Sequence, residues 1–111
     1  MQSNTGALWR IDPKTGDSLA VGLQGKSLPN GDGLLLEGRT LYVVQNRVNT
    51  IAVVELDKDF ATGRITKTLK NKDFDVPTTL ARNADGLFAV NARFGTAASP
   101  TTPYWITRVS R

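Results

Sequence analysis

The sequence predicts an all-β chain, and three observations carry that reading. Nine short runs rich in β-branched, aromatic or Leu residues are bounded by Gly, Pro, Asp or Asn, which is the length and punctuation of strands. No stretch of about ten residues keeps the apolar period of a helix. Elements of the turn chemistry also recur together along the chain, at separations of 45 to 48 residues.

The elements follow in order. Residues 7–11 (ALWRI) and 18–23 (SLAVGL) are the first two strands. Between them Asp12 caps the turn with its side chain and Gly16 supplies positive φ. Residues 34–37 and 40–45 form a hairpin over Glu37 and Gly38. Residues 50–56 (TIAVVEL) are apolar on both faces, as a strand between two sheets should be. Residues 64–69 (RITKTL) alternate, with Ile65 and Lys67 opposite Thr66 and Thr68, as in an outer strand. A second hairpin, 80–82 and 87–91, turns at Asp85 and Gly86, and 104–109 (YWITRV) ends the set. Neighbouring strands should be antiparallel. Asn46 and Asn91 end equivalent strands and should satisfy backbone groups there. Residues 93–103 (RFGTAASPTTP) break the pattern and read as a surface loop.

The repeat gives the architecture. Ile11-Asp12 with Thr15-Gly16 matches Leu56-Asp57 with Thr62-Gly63, Pro29 matches Pro77, and Leu41 to Val44 matches Leu87 to Val90. Four-stranded units at about this spacing are β-propeller blades. A sandwich of similar hairpins is the alternative; the recurrence of turn residues and strand order together favours the propeller. With strands lettered from the axis outward, the chain reads C-D (1–28), A-B-C-D (29–76) and A-B-C (77–111). That is a partial propeller of about two and a half blades, whereas closure takes about four to eight. The missing blades would come from self-association into a homo-oligomer, or from a longer chain of which this is a piece. In this register Trp9, Val53 and Ile106 share one C-strand position and fill the space between blades. Trp9 and Trp105 head equivalent strands as core aromatics.

Composition narrows the chemistry. The balance of 40% hydrophobic and 22% charged residues is that of a globular domain. The net charge of +4 is scattered, so no nucleic-acid partner is expected. No apolar run approaches the roughly 18 residues of a membrane span, and no signal-peptide core is present. The chain reads as soluble, with no membrane partner. It contains no His and no Cys. Triads built on His, thiolate nucleophiles, disulfides and zinc held by Cys or His are therefore excluded. What remains is chemistry by carboxylates, amides, hydroxyls, Lys, Arg, Tyr or a metal held by oxygen. The lack of Cys fits either redox compartment, and a secreted or periplasmic parent is compatible with it.

The segment PNGDGLLLEGRTLYVVQNRVNTIAVVELD, residues 29–57, resembles a blade of the senescence-marker-protein/gluconolactonase/NHL-like group of six-bladed propellers. Residues 7–109 can be laid over the last two and a half blades of such a protein. The resemblance implies a divalent cation such as Ca²⁺ on the central axis, held by a Glu, the Asn of a PNG motif and the Asp of a PDG motif. Such an ion polarises a lactone carbonyl or activates water. Asn30 matches the PNG Asn, and Asp32 matches the PDG Asp if the loop is read two residues later. Pro77-Thr78-Thr79 departs from the pattern, because Thr78 stands where the carboxylate should fall.

The resemblance thus implies a metal site on Asn30 and Asp32, incomplete in the isolated chain, which would hold no cofactor by itself; Ca²⁺ or another divalent ion belongs to the complete propeller. Asn30 to Gly33 is also a turn sequence in its own right. In a propeller Asn30 and Asp32 face the channel, and Gly31 and Gly33 bring the backbone close to the axis. Arg47, Arg82 and Arg93 could line its mouth, although solvated surface is their default. The expected function is a propeller segment with a scaffold or small-molecule-binding role. The alternative is part of a divalent-metal-dependent lactone or ester hydrolase of the gluconolactonase type. No catalytic residue is assigned.

Overall fold

The computed structural model describes residues 1–110. Among them the chain forms nine strands: β1 (Trp9–Ile11), β2 (Ser18–Ala20), β3 (Gly31–Glu37), β4 (Thr40–Gln45), β5 (Thr50–Leu56), β6 (Gly63–Leu69), β7 (Pro77–Asn83), β8 (Gly86–Asn91) and β9 (Trp105–Val109). The all-β reading holds. The only helical element among the described residues is a single 3₁₀ turn, Asn46–Val48, between β4 and β5.

The strands form three antiparallel meanders in chain order, β1-β2, β3-β4-β5-β6 and β7-β8-β9. These stack face to face into a body of 45 × 28 × 28 Å. Its radius of gyration of 14.8 Å exceeds the roughly 13 Å of a spherical domain this size, as an open stack should. The sheets do not close on one another.

Strand alternation builds two cores. On one face of the second sheet Leu41, Val43, Ala52, Val54 and Leu56 meet Leu8, Val21, Leu23 and Leu28. On the other face Tyr42, Val44, Ile51 and Val53 meet Leu80, Leu87, Ala89 and Val109, with Leu69 and Phe74 filling the wedge. β5 is therefore covered on both sides, as its doubly apolar sequence requires. β6 carries an irregularity at Thr66, where pairing passes from Val53↔Lys67 to Val54↔Ile65.

Two expectations are corrected here. β3 and β7 begin at Gly31 and Pro77, about three residues before the predicted starts, each with a bulge just after entry. The reason is Gly33. A Cβ there would lie 2.6 Å from Thr78 O and Thr79 Cα, so its absence lets the edge strands β3 and β7 approach backbone to backbone.

The second correction concerns register. The turn at Asp12 and Asp57 fixes the correspondence of β1 with β5: Asp12 N–H donates to Asp17 O and Asp57 N–H to Thr62 O. Leu8, not Trp9, then stands where Val53 does, and it is buried. Trp9 takes the place of Val54, on the opposite face, and is 40% exposed; a slip of one residue exchanges faces. Ile106 pairs with Val90 as Ile51 pairs with Val44, so it replaces Ile51 rather than Val53, and it is 64% exposed. Trp105 heads β9 in the place of Thr50 and is not the counterpart of Trp9.

The capping aspartates act as predicted. Asp12 Oδ1 accepts from Lys14 N–H at 2.8 Å, and Asp57 Oδ1 from Ala61 N–H at 2.9 Å. Gly16 has positive φ, but in the second loop Phe60 takes that role. Gly63 sits inside β6, where a Cβ would meet Leu56 and Val54.

Candidate functional site

The loops that enter β3 and β7 gather several of the polar side chains singled out above. Asn30 precedes β3 with φ +59°, and Val76 precedes β7 with φ +51°. The first is an ordinary left-handed residue; the second is a β-branched one, for which that region is an outlier. The two are structural counterparts: Asn46 N–H donates to Asn30 O at 3.0 Å, and Ala92 N–H to Val76 O at 3.0 Å. By the same register Thr78 is the counterpart of Asp32, and Val76 of Asn30.

Each loop is tied to the strand beside it. In the second sheet Gln45 Nε2 donates to Pro29 O at 2.9 Å. In the third, buried Asn91 accepts from Asp75 N–H at 2.9 Å and donates to Thr107 Oγ1 at 2.8 Å and Trp105 O at 3.2 Å. Asn91 thus satisfies backbone at a strand end, and its counterpart is Gln45 rather than Asn46. Asn49 bridges the sheets, its Oδ1 accepting from Val76 N–H at 2.8 Å. That bond holds the strained Val76 in place.

Asn30 is half-buried and Asp32 exposed. The Asn30 side chain makes no hydrogen bond to a described residue, while Asp32 Oδ2 accepts from Asn46 Nδ2 at 3.0 Å. Ser3 Oγ donates to Gly31 O, packing the chain start against this loop. Gly31 and Gly33 share no positive φ; their service is close approach, Gly31 to Met1 and the Leu28 carbonyl, and Gly33 to β7.

A hard cation takes about six to eight oxygens. Asn30 and Asp32 offer two side chains, and no cluster of three His, Cys, Asp or Glu exists among the described residues.

The arginines do not share one mouth. Arg82 lies at the far end of β7 and pairs with Glu37 at 2.8 Å. Arg93 follows β8 at the opposite end, where it pairs with Asp75 at 2.9 Å and stacks 4.9 Å from the Trp105 ring centre. Its guanidinium also donates to Pro103 O, pinning the 93–103 loop. The Glu37 hydrogen bond, with its charge, holds the Arg82 proton more firmly than usual. At Asp57 burial pushes the carboxyl up, but hydrogen bonds from Thr62 Oγ1 and the Ala61, Thr62 and Asp59 amides outweigh it and lower its pKa.

An apolar concavity lies elsewhere, between β1 and the β3-β4 hairpin. It is a groove of about 420 Å³ lined by Trp9, Ile11, Leu34, Leu36, Leu41 and Leu56 among others. Sequence reading missed it, because each of these residues belongs to a strand whose alternation looks complete. The one available signal was the pair of outward leucines in GDGLLLE, facing a sheet that has only two strands.

Comparison with family models, with curated proteins and with solved structures found no match.

Proposed function

We propose that the chain is a segment of a β-propeller with a scaffold role, whose inner-strand loops form one part of a ligand-binding mouth. The observation that supports this reading most directly is the repeated relation between sheets. The second sheet packs on the third through the same alternating positions by which the first packs on the second. Both ends of the stack leave such positions open: Trp9 and Ile11 on the first sheet, Val90 and Ile106 on the third, all exposed. Open faces of this kind favour association with further sheets. Sedimentation equilibrium across a concentration series tests it. Masses above 12.0 kDa that fall with dilution are expected, and a monomer throughout would sink self-assembly.

A second reading is favoured by the free amide of Asn30 beside Asp32. Here the chain supplies part of a divalent-cation site in a lactone or ester hydrolase, with the other ligands on further sheets. A Ca²⁺-dependent rise in melting temperature that Asn30→Ala removes would support it. No rise, in an assembled sample, would count against it.

A further inference from the structure

The inner edge of the first sheet holds both things that an added strand needs. Val21 N–H donates to Leu8 O at 2.8 Å and Asp12 N–H to Asp17 O at 2.9 Å. Leu8/Val21, Arg10/Leu19 and Asp12/Asp17 are therefore the hydrogen-bonded pairs of the β1-β2 ladder. The alternation turns the N–H and C=O of Ala7, Trp9 and Ile11 toward the other side, where Gln2 N–H donates to Ala7 O at 2.9 Å and no described strand pairs with Trp9 to Ile11. Directly beside that edge lies the apolar groove floored by Leu34, Leu36, Leu41 and Leu56.

The third sheet shows what covers such a floor. Leu80 pairs with Ala89 as Leu34 pairs with Val43, so the two leucines are counterparts. Leu80 is 5% exposed and Leu34 is 40% exposed. Over Leu80 lies the β3-β4 hairpin, whose second strand pairs antiparallel with β5, and β5 is the counterpart of β1. We propose that the groove docks a β-hairpin supplied by another polypeptide. Its second strand adds antiparallel to β1, and its first strand lies across Leu34 and Leu36. One side chain of the partner can be specified. Glu37 of β3 reaches Arg82 of β7, and the counterpart of Arg82 on β3 is Leu36. The docked hairpin therefore carries an apolar residue where β3 carries Glu37.

The proposal shares the sheet repeat with the propeller reading but not the self-assembly, so a one-to-one complex stands even if the chain never forms a wheel. The probe is a backbone-cyclised peptide of residues 29–46, which keeps the hairpin formed, made with the natural sequence and with Glu37→Leu. Binding should protect the Trp9 and Ile11 amides from hydrogen exchange and give a one-to-one complex in sedimentation. In a Trp105→Phe chain it should also shift Trp9 emission to the blue. The Glu37→Leu peptide should bind about tenfold more tightly than the natural one. Leu36→Asp in the chain should abolish binding while the circular dichroism of the half-exposed site's variant stays that of the parent. If Trp105→Phe unfolds, amide exchange on the natural chain decides the question. Unprotected Trp9 and Ile11 amides at saturating peptide would overturn the proposal. So would protection that grows with chain concentration alone, which would place a second copy in the groove.

Discussion

The interface between the second and third sheets is closed where the one between the first and second is open, although the same strand pattern builds both. Four strands lie over the β7-β8-β9 sheet, and two lie over the β3-β4 side of the second. Burial of a leucine on an edge strand is thus set by how many strands its neighbour sheet brings, not by the alternation of its own strand. Core content and core position are separate facts.

The sharpest way to break this comparison is to truncate the paired leucines. Leu80→Ala should lower stability by about 2–5 kcal/mol, because it leaves a cavity between covered sheets. Leu34→Ala should lower it by less than about 1 kcal/mol, since much of that side chain already meets water. Equal effects in urea titrations would mean that the two interfaces are equally closed.

Gly33→Ala asks whether β3 and β7 really converge. Its Cβ would meet β7 backbone, which cannot swing away as a side chain can, so a loss of about 1–3 kcal/mol is expected. Gly38, with no neighbour near its Cβ, tests the opposite case: Gly38→Ala should cost about 1 kcal/mol, through its positive φ alone.

Asn91→Ala probes the polar clamp of the third sheet. It removes the partner of the Asp75 amide and of Thr107, and thermal unfolding should register a loss of about 1–3 kcal/mol. Gln45→Ala, at the half-buried counterpart, should register less.

The smallest expected effect is electrostatic. Asp57 titrates below its ordinary value of about 3.8 in the folded chain. Its contribution is therefore complete above that value and is lost as the pH falls through the folded pKa. Urea midpoints of the parent and Asp57→Ala should differ near neutral pH and converge on acidification. A gap that widens in acid would mean that folding raises the Asp57 pKa instead of lowering it.

Much of the fold was legible in the sequence, because a meander of short strands writes its period and turns locally. The doubly apolar TIAVVEL, the capping Asp12 and Asp57, and the two-residue hairpin loops each act within a few residues of themselves. What was not legible depends on residues far apart. The starts of β3 and β7 follow from the contact of Gly33 with Thr78 and Thr79. The prolines suggested a spacing of 48, whereas the ladder pairs Gly31 with Gln45 and Pro77 with Asn91, a spacing of 46. Trp9 was read as core because it is large, while the Asp turn that fixes its register places it outside. At the candidate site the residues Asn30 and Asp32 could be named, but their link to Asn46 and the anchoring of Val76 by Asn49 join separate loops, which no local pattern encodes.

The meander topology carries a consequence for how the molecule comes apart. Each sheet is built from consecutive chain and touches only the sheets next to it, so stability is distributed as in a linear array, with unit and nearest-neighbour contributions. The second sheet has neighbours on both faces and should hold its amide protons longest. The first and third can open separately from their outer sides without passing through the globally denatured state. Two-state analysis of a single melting curve would then average unequal units, and residue-resolved exchange should separate them into a slow centre and two faster ends, with β1-β2 the fastest.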